Sequence, residues 1–166
     1  MPTVQTCDAL LALVERSGLL VPARLDPYRS DDDGSPLELA RALVRDRLLT
    51  QFQARQLLRG RCRGFFLTEK YKVLEHLGEG GMGVVYRAKQ LRANRIVALK
   101  VMLNIDHARP EDMARFSMEA EASAQLQHVG IVQVFDVGNV KDLLYFTQEY
   151  VTGGTLASKI AKQMLS

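Results

Sequence analysis

Cysteine is nearly missing from this sequence, and so are the long runs that mark a membrane or nucleic-acid protein. Cys7 and Cys62 are the only two cysteines, far apart and without CxxC or Cys/His spacing. That excludes a disulfide scaffold and a cysteine metal site, and suits a reducing compartment. His76, His107 and His128 are scattered without ligand spacing, so no metal site is expected. No apolar run approaches the ~20 residues of a membrane-spanning helix. The N-terminus lacks the basic and apolar blocks of a secretion signal, and a cytoplasmic location is expected. The net charge is only +3 and no long basic run occurs, so no nucleic-acid partner is expected. Arg59, Arg61 and Arg63 read as a solvated linker.

What remains is an ordinary globular composition, 47% hydrophobic and 25% charged, sufficient to bury a core. Residues 1–60 carry helical patterns. Val4, Leu10, Leu11, Leu13 and Val14 recur at helical spacing up to Ser17-Gly18. A short helix is expected from Pro22 to Tyr28, and a charged loop at 30–34. Ser35-Pro36-Leu37-Glu38 and Thr50-Gln51-Phe52-Gln53 both have the form of a capping box opening a helix. Leu10, Val14, Leu19 and Leu20 recur as Leu39, Leu43, Leu48 and Leu49, so a helix–corner–helix unit is expected twice, the pair packing face to face. A DNA-binding helix-turn-helix has little support, because the helix after each corner is short and the second carries only Arg55 and Arg59 as basic groups.

The chemistry is concentrated after residue 68. Gly78-Glu79-Gly80-Gly81-Met82-Gly83 has the spacing G-x-G-x-x-G, in which missing Cβ atoms let backbone N–H groups approach an anion. The spacing alone is weak, since a dinucleotide-binding turn shares it. There, however, the last glycine opens a helix. Here it opens Val84-Val85-Tyr86-Arg87-Ala88, a strand by composition, followed by a polar turn and a second strand, Ile96 to Val101, carrying Lys100. Pro110-Glu111-Asp112 starts a helix expected to reach about Gln127. Phe116, Glu119, Ala120 and Ser123 share one of its faces, and a carboxylate among apolar neighbours calls for a cationic partner.

This order of motifs resembles the protein kinase family, whose glycine-rich loop covers ATP phosphates and whose third-strand lysine meets the α- and β-phosphates. Val97-Ala98-Leu99-Lys100 stands for the lysine motif. Arg115-Phe116-Ser117-Met118-Glu119-Ala120 stands for the αC segment whose glutamate holds that lysine. The resemblance implies an α+β fold: a helical module at 1–60, a linker at 61–68, and at 69–166 a kinase N-lobe with a five-stranded antiparallel sheet and one long helix. It implies ATP as ligand, with Gly78, Gly80, Gly81 and Gly83 around the phosphates. Leu77, Val85 and Ala98 would line the adenine, Glu149 and Val151 would offer hinge main-chain groups, and Lys100 and Glu119 would form the catalytic pair. Gln148 falls at the gatekeeper position, as a buried amide needing partners. Asp136-Val137-Gly138 mimics a metal-binding DFG but precedes the hinge, so Asp136 is expected to be a turn residue. Residues 155–165 are expected as a short helix like αD. The helical module, with its Leu48-Leu49-Thr50-x-x-Gln53 corner, resembles segments preceding the kinase domains of planctomycete-type bacterial kinases.

The motifs that supply the catalytic base and the Mg²⁺ ligands, H-R-D-x-x-x-x-N and D-F-G, are absent from these 166 residues, as is A-P-E. The chain is therefore expected to be the N-terminal portion of a serine/threonine kinase, cut before its C-lobe and inactive alone, with Mg²⁺ joining only when that lobe is present. The alternative from a different class is a non-catalytic module that binds a protein partner.

Overall fold

A computed structural model of the chain describes residues 4–29, 34–80, 83–103, 109–141, 143–154 and 160. Four helices are present among them: α1 (Cys7–Ser17), α2 (Pro36–Arg45), α3 (Gln51–Leu58) and α4 (Pro110–Gln125). The strands are β1 (Phe66–Leu67), β2 (Tyr71–Gly80), β3 (Gly83–Gln90), β4 (Arg95–Leu103), β5 (Val134–Asn139) and β6 (Leu143–Glu149), hydrogen-bonded in the order β1-β2-β3-β4-β6-β5. The short β1 joins the five expected strands at one edge. By contact density the chain divides into two units, residues 1–78 with 86–95 and residues 79–85 with 96–166.

In the first unit local signals set the helix ends. Thr6 caps α1 by accepting the Ala9 N–H, and Gly18 closes it in the left-handed region at φ 69°. Ser35 caps α2 through the Leu37 N–H, whereas Glu38 stays exposed and does not complete a box. Thr50 and Gln53 do form a full capping box on α3. The expected helix over 22–28 is instead two 3₁₀ turns, Pro22–Arg24 and Asp26–Tyr28. Pro27 has no N–H to donate to the Ala23 carbonyl, so a continuous α-helix is broken there. Leu10, Val14, Leu25, Leu43 and Leu57 are buried in one core. Phe65, in the stretch expected as a linker, joins them at 2% exposure.

Side chains as well as the β1–β2 pairing tie that core to β2. Gln53, 1% exposed, donates its Nε2 to the Val73 carbonyl at 2.7 Å while its Oε1 accepts from the Thr50 N–H at 3.0 Å. The Thr50 hydroxyl donates to the Leu74 carbonyl at 2.6 Å. One capping box therefore satisfies a helix start and two carbonyls of β2 together. Lys72 donates to the Leu19 carbonyl at 3.1 Å, and burial, with the Lys89 charge, holds its ammonium pKa below the ordinary lysine value. The unfolded chain keeps that proton to higher pH, so this residue's share of stability rises as pH climbs through the folded value.

In the second unit Arg109 precedes α4, Pro110 takes its first turn, and Glu111 and Asp112 face the positive end of the helix dipole. The helix ends at Gln125, two residues before the expected point. β4 pairs antiparallel with β6, placing Lys100 opposite Phe146 and Met102 opposite Leu144. Strand β5 starts at Val134. A bulge between Val134 and Asp136 shifts its register, and Asp136 then pairs with Thr147. Asp136 is thus a strand residue beside a bulge, not a turn residue. Gly138 is required by packing, since a Cβ there would stand 2.6 Å from the Tyr145 ring. The helix expected at 155–165 lies outside the described residues, except for Ile160.

Replacing Gln53 by Ala removes a cap and strands the Val73 carbonyl, and is expected to destabilise the chain by about 2–3 kcal/mol in urea unfolding. A change below about 0.5 kcal/mol, the size of a surface substitution, would remove α3 as the support of β2.

Candidate functional site

The second unit brings Lys100 and Glu119 together. Alternation along β4 puts Ala98, Lys100 and Met102 on one face of the sheet. Their cross-strand partners on β6 are Gln148, Phe146 and Leu144. Helix α4 covers this face with Phe116 and Ala120, which pack with Met102 and Phe146 in one buried cluster. Glu119 lies between those two helical positions, so packing of the apolar pair carries the carboxylate to the lysine. The Lys100 Nζ donates to the Glu119 Oε2 at 2.5 Å. The lysine side chain is 14% exposed and the glutamate 38%.

Two rings complete the surroundings of the ammonium. Its nitrogen lies 5.6 Å from the Phe146 ring centroid and 5.8 Å from that of Phe116, and the two rings sit 5.1 Å apart. Cation–π attraction adds to the ion pair in holding a half-buried cation in one orientation. Phe146 was not among the expected site residues. Its place opposite Lys100 follows from the β4–β6 register, which a single chain does not spell out.

The glycines of the loop divide by physical cause. Gly83 stands at φ 134°, and a Cβ there would meet the Val101 carbonyl oxygen at 2.2 Å, so the close approach of β4 fixes this glycine. At Gly78 and Gly80 a Cβ would meet nothing within 4 Å, and neither has a positive φ. Their side-chain-free backbone leaves open space without serving a contact in the chain itself. Gly81 lies outside the described residues. Leu77 and Gly78 belong to the first unit, whereas Gly80, Gly83, Val85, Ala98, Lys100, Glu119, Glu149 and Val151 belong to the second.

At the end of β6, Gln148 is half-buried between Ala98 and Val134, so it is not the fully buried amide expected. Glu149 is exposed, and its N–H donates to the Gln133 carbonyl at 2.9 Å. Val151 is exposed just beyond the strand. Among the described residues no three His, Cys, Asp or Glu side chains are grouped to hold a metal, and no helix is long and apolar enough to cross a membrane.

Comparison with known proteins agrees with this geometry. A family model described as the protein kinase domain matches residues 71–166. A probable serine/threonine-protein kinase of Clostridium perfringens is 39% identical over 100 residues, covering 60% of this chain and 15% of that protein. Serine/threonine-protein kinase PrkC of Bacillus subtilis is 37% identical over 95 residues, covering 57% of this chain and 14% of that protein. Serine/threonine-protein kinase PknB of Mycobacterium tuberculosis is 44% identical over 95 residues, covering 54% and 15% respectively. The chain therefore spans only a small part, 14–15%, of these curated relatives. With a lysine–glutamate pair between sheet and helix and a match over residues 71–166, this chain belongs to the protein kinase domain family.

Proposed function

We propose that residues 69–166 are the ATP-binding N-terminal portion of a bacterial serine/threonine protein kinase, working in the cytoplasm. The observation that carries this reading is the Lys100–Glu119 pair, which holds an ammonium at a fixed place on the sheet. ATP supplies the phosphoryl group in this chemistry; the chain's own residues bind it, orient it and neutralise charge. In this reading the backbone of Gly78, Gly80, Gly81 and Gly83 lies against the phosphates. Lys100 donates to the α- and β-phosphates, and Glu119 keeps it from folding back to the surface. Leu77, Val85 and Ala98 lie against the adenine, with main-chain groups of Glu149 and Val151 at its edge. The open space at Gly78 and Gly80 fits such a ligand, since a close-packed turn would have left none.

These 166 residues carry neither H-R-D-x-x-x-x-N nor D-F-G. By themselves they are proposed to bind nucleotide weakly and to transfer no phosphate, with Mg²⁺ held only in the presence of a C-lobe. The protein substrate is left open by the residues present.

Binding of a fluorescent ATP analogue tests the reading. Lys100→Met is expected to weaken it about tenfold, or ~1.4 kcal/mol, as loss of a charge-assisted hydrogen bond would. Equal affinity in the two proteins would contradict the assignment. A kinase assay of the chain giving turnover abolished by Lys100→Ala would contradict its inactivity.

The glycines give an independent check in paired melting and binding curves. Gly80→Ala is expected to leave thermal stability within about 0.5 kcal/mol while weakening nucleotide binding. Gly83→Ala is expected to destabilise the fold by more than about 1 kcal/mol, through strain and overlap with β4. The reverse order would place the functional glycine at the wrong position.

A further inference from the structure

The helical module has a surface that the kinase reading leaves unused. Helix α2 presents Leu37, Ala40 and Val44 along one stripe, and α3 presents Ala54 and Leu58 along another. Between the stripes runs a groove of about 360 Å³. Ala40 and Ala54 are buried while Leu37 is 47% exposed, so small side chains form the floor and larger ones the walls. Arg41, Arg45 and Arg55 edge it, with no acidic side chain lining it among the described residues. Arg45 is already paired with Asp46 at 3.1 Å, and Arg55 donates its Nε to the Gln51 carbonyl at 3.4 Å, a bond that leaves its charge unneutralised, so Arg41 and Arg55 supply the positive edge.

We propose that this groove docks a short amphipathic helix of a protein partner, with carboxylates flanking its apolar stripe. Two parallel apolar stripes with a low floor offer the seat of a third helix in a bundle. The ten residues of α2 span roughly 15 Å, enough for about three turns of a docked helix. Arginines on the edge attract a helix bearing Glu or Asp beside its anchors, and steer its approach. A second copy of this chain fits poorly, because a two-fold contact at the groove would set its arginines against each other.

The test uses a fluorescein-labelled stapled peptide of about 12 residues, roughly three turns. It carries Leu at i, i+3, i+4 and i+7 with flanking Glu, and anisotropy is read against the whole chain. Saturable binding is expected, weakened at least tenfold by Leu37→Glu and by Arg41→Glu. Both sites are exposed, so unchanged melting curves verify folding. A twin peptide flanked by Lys is expected not to compete. Absence of binding, equal binding of the Lys twin, or indifference to both substitutions would overturn the proposal. So would dodecanoate displacing the peptide while binding the groove more tightly, or self-association in sedimentation that Leu37→Glu abolishes.

Discussion

An ammonium and a carboxylate, each set on an otherwise apolar surface, account for most of the second unit. Lys100 stands on the β4 face among Ala98, Met102 and Phe146, and Glu119 on the α4 face between Phe116 and Ala120. The ammonium, 14% exposed, is costly there alone, and the more exposed carboxylate offsets that cost. Their meeting needs the β4–β6 register, the start of α4 at Pro110 and the small side chain of Ala120 together. A slip of one residue in β4 would send the lysine to the opposite face. The pair therefore reports on the fold as much as on chemistry.

The first unit rests on a comparable economy. Gln53 and Thr50 close the start of α3 and reach across to two carbonyls of β2, the strand that runs into the glycine loop. The helical module thereby bears directly on the strand. The same module offers a groove edged by arginines on another face. A partner seated there would touch α3, whose side chains hold β2.

Features set by neighbours in sequence were legible without coordinates. The caps at Ser35 and Thr50, the glycine after α1 and the proline start of α4 all follow from local chemistry. The inward glutamate of α4 was legible from helical spacing alone. Features set by distant pairing were not. Phe146 beside Lys100, the bulge that draws Asp136 into β5, and the half-exposure of Gln148 depend on which strands meet and in what register. The single helix expected over 22–28 failed for a local reason: Pro27 cannot continue an α-helix. The glycines needed coordinates most, because sequence gives them one letter and structure gives them separate causes. Gly83 and Gly138 serve close approaches within the chain, whereas Gly78 and Gly80 serve none, and that freedom joins the loop to the nucleotide reading.

The central claim is that Lys100 and Glu119 act as one nucleotide-binding unit, and a double-mutant cycle measures it most directly. Affinity for a fluorescent ATP analogue would be compared in the parent chain, Lys100→Met, Glu119→Gln and the double variant. Coupling of at least about 1 kcal/mol is expected, the second substitution adding little once the first is made. Effects that add within about 0.3 kcal/mol would show two independent residues and contradict the claim.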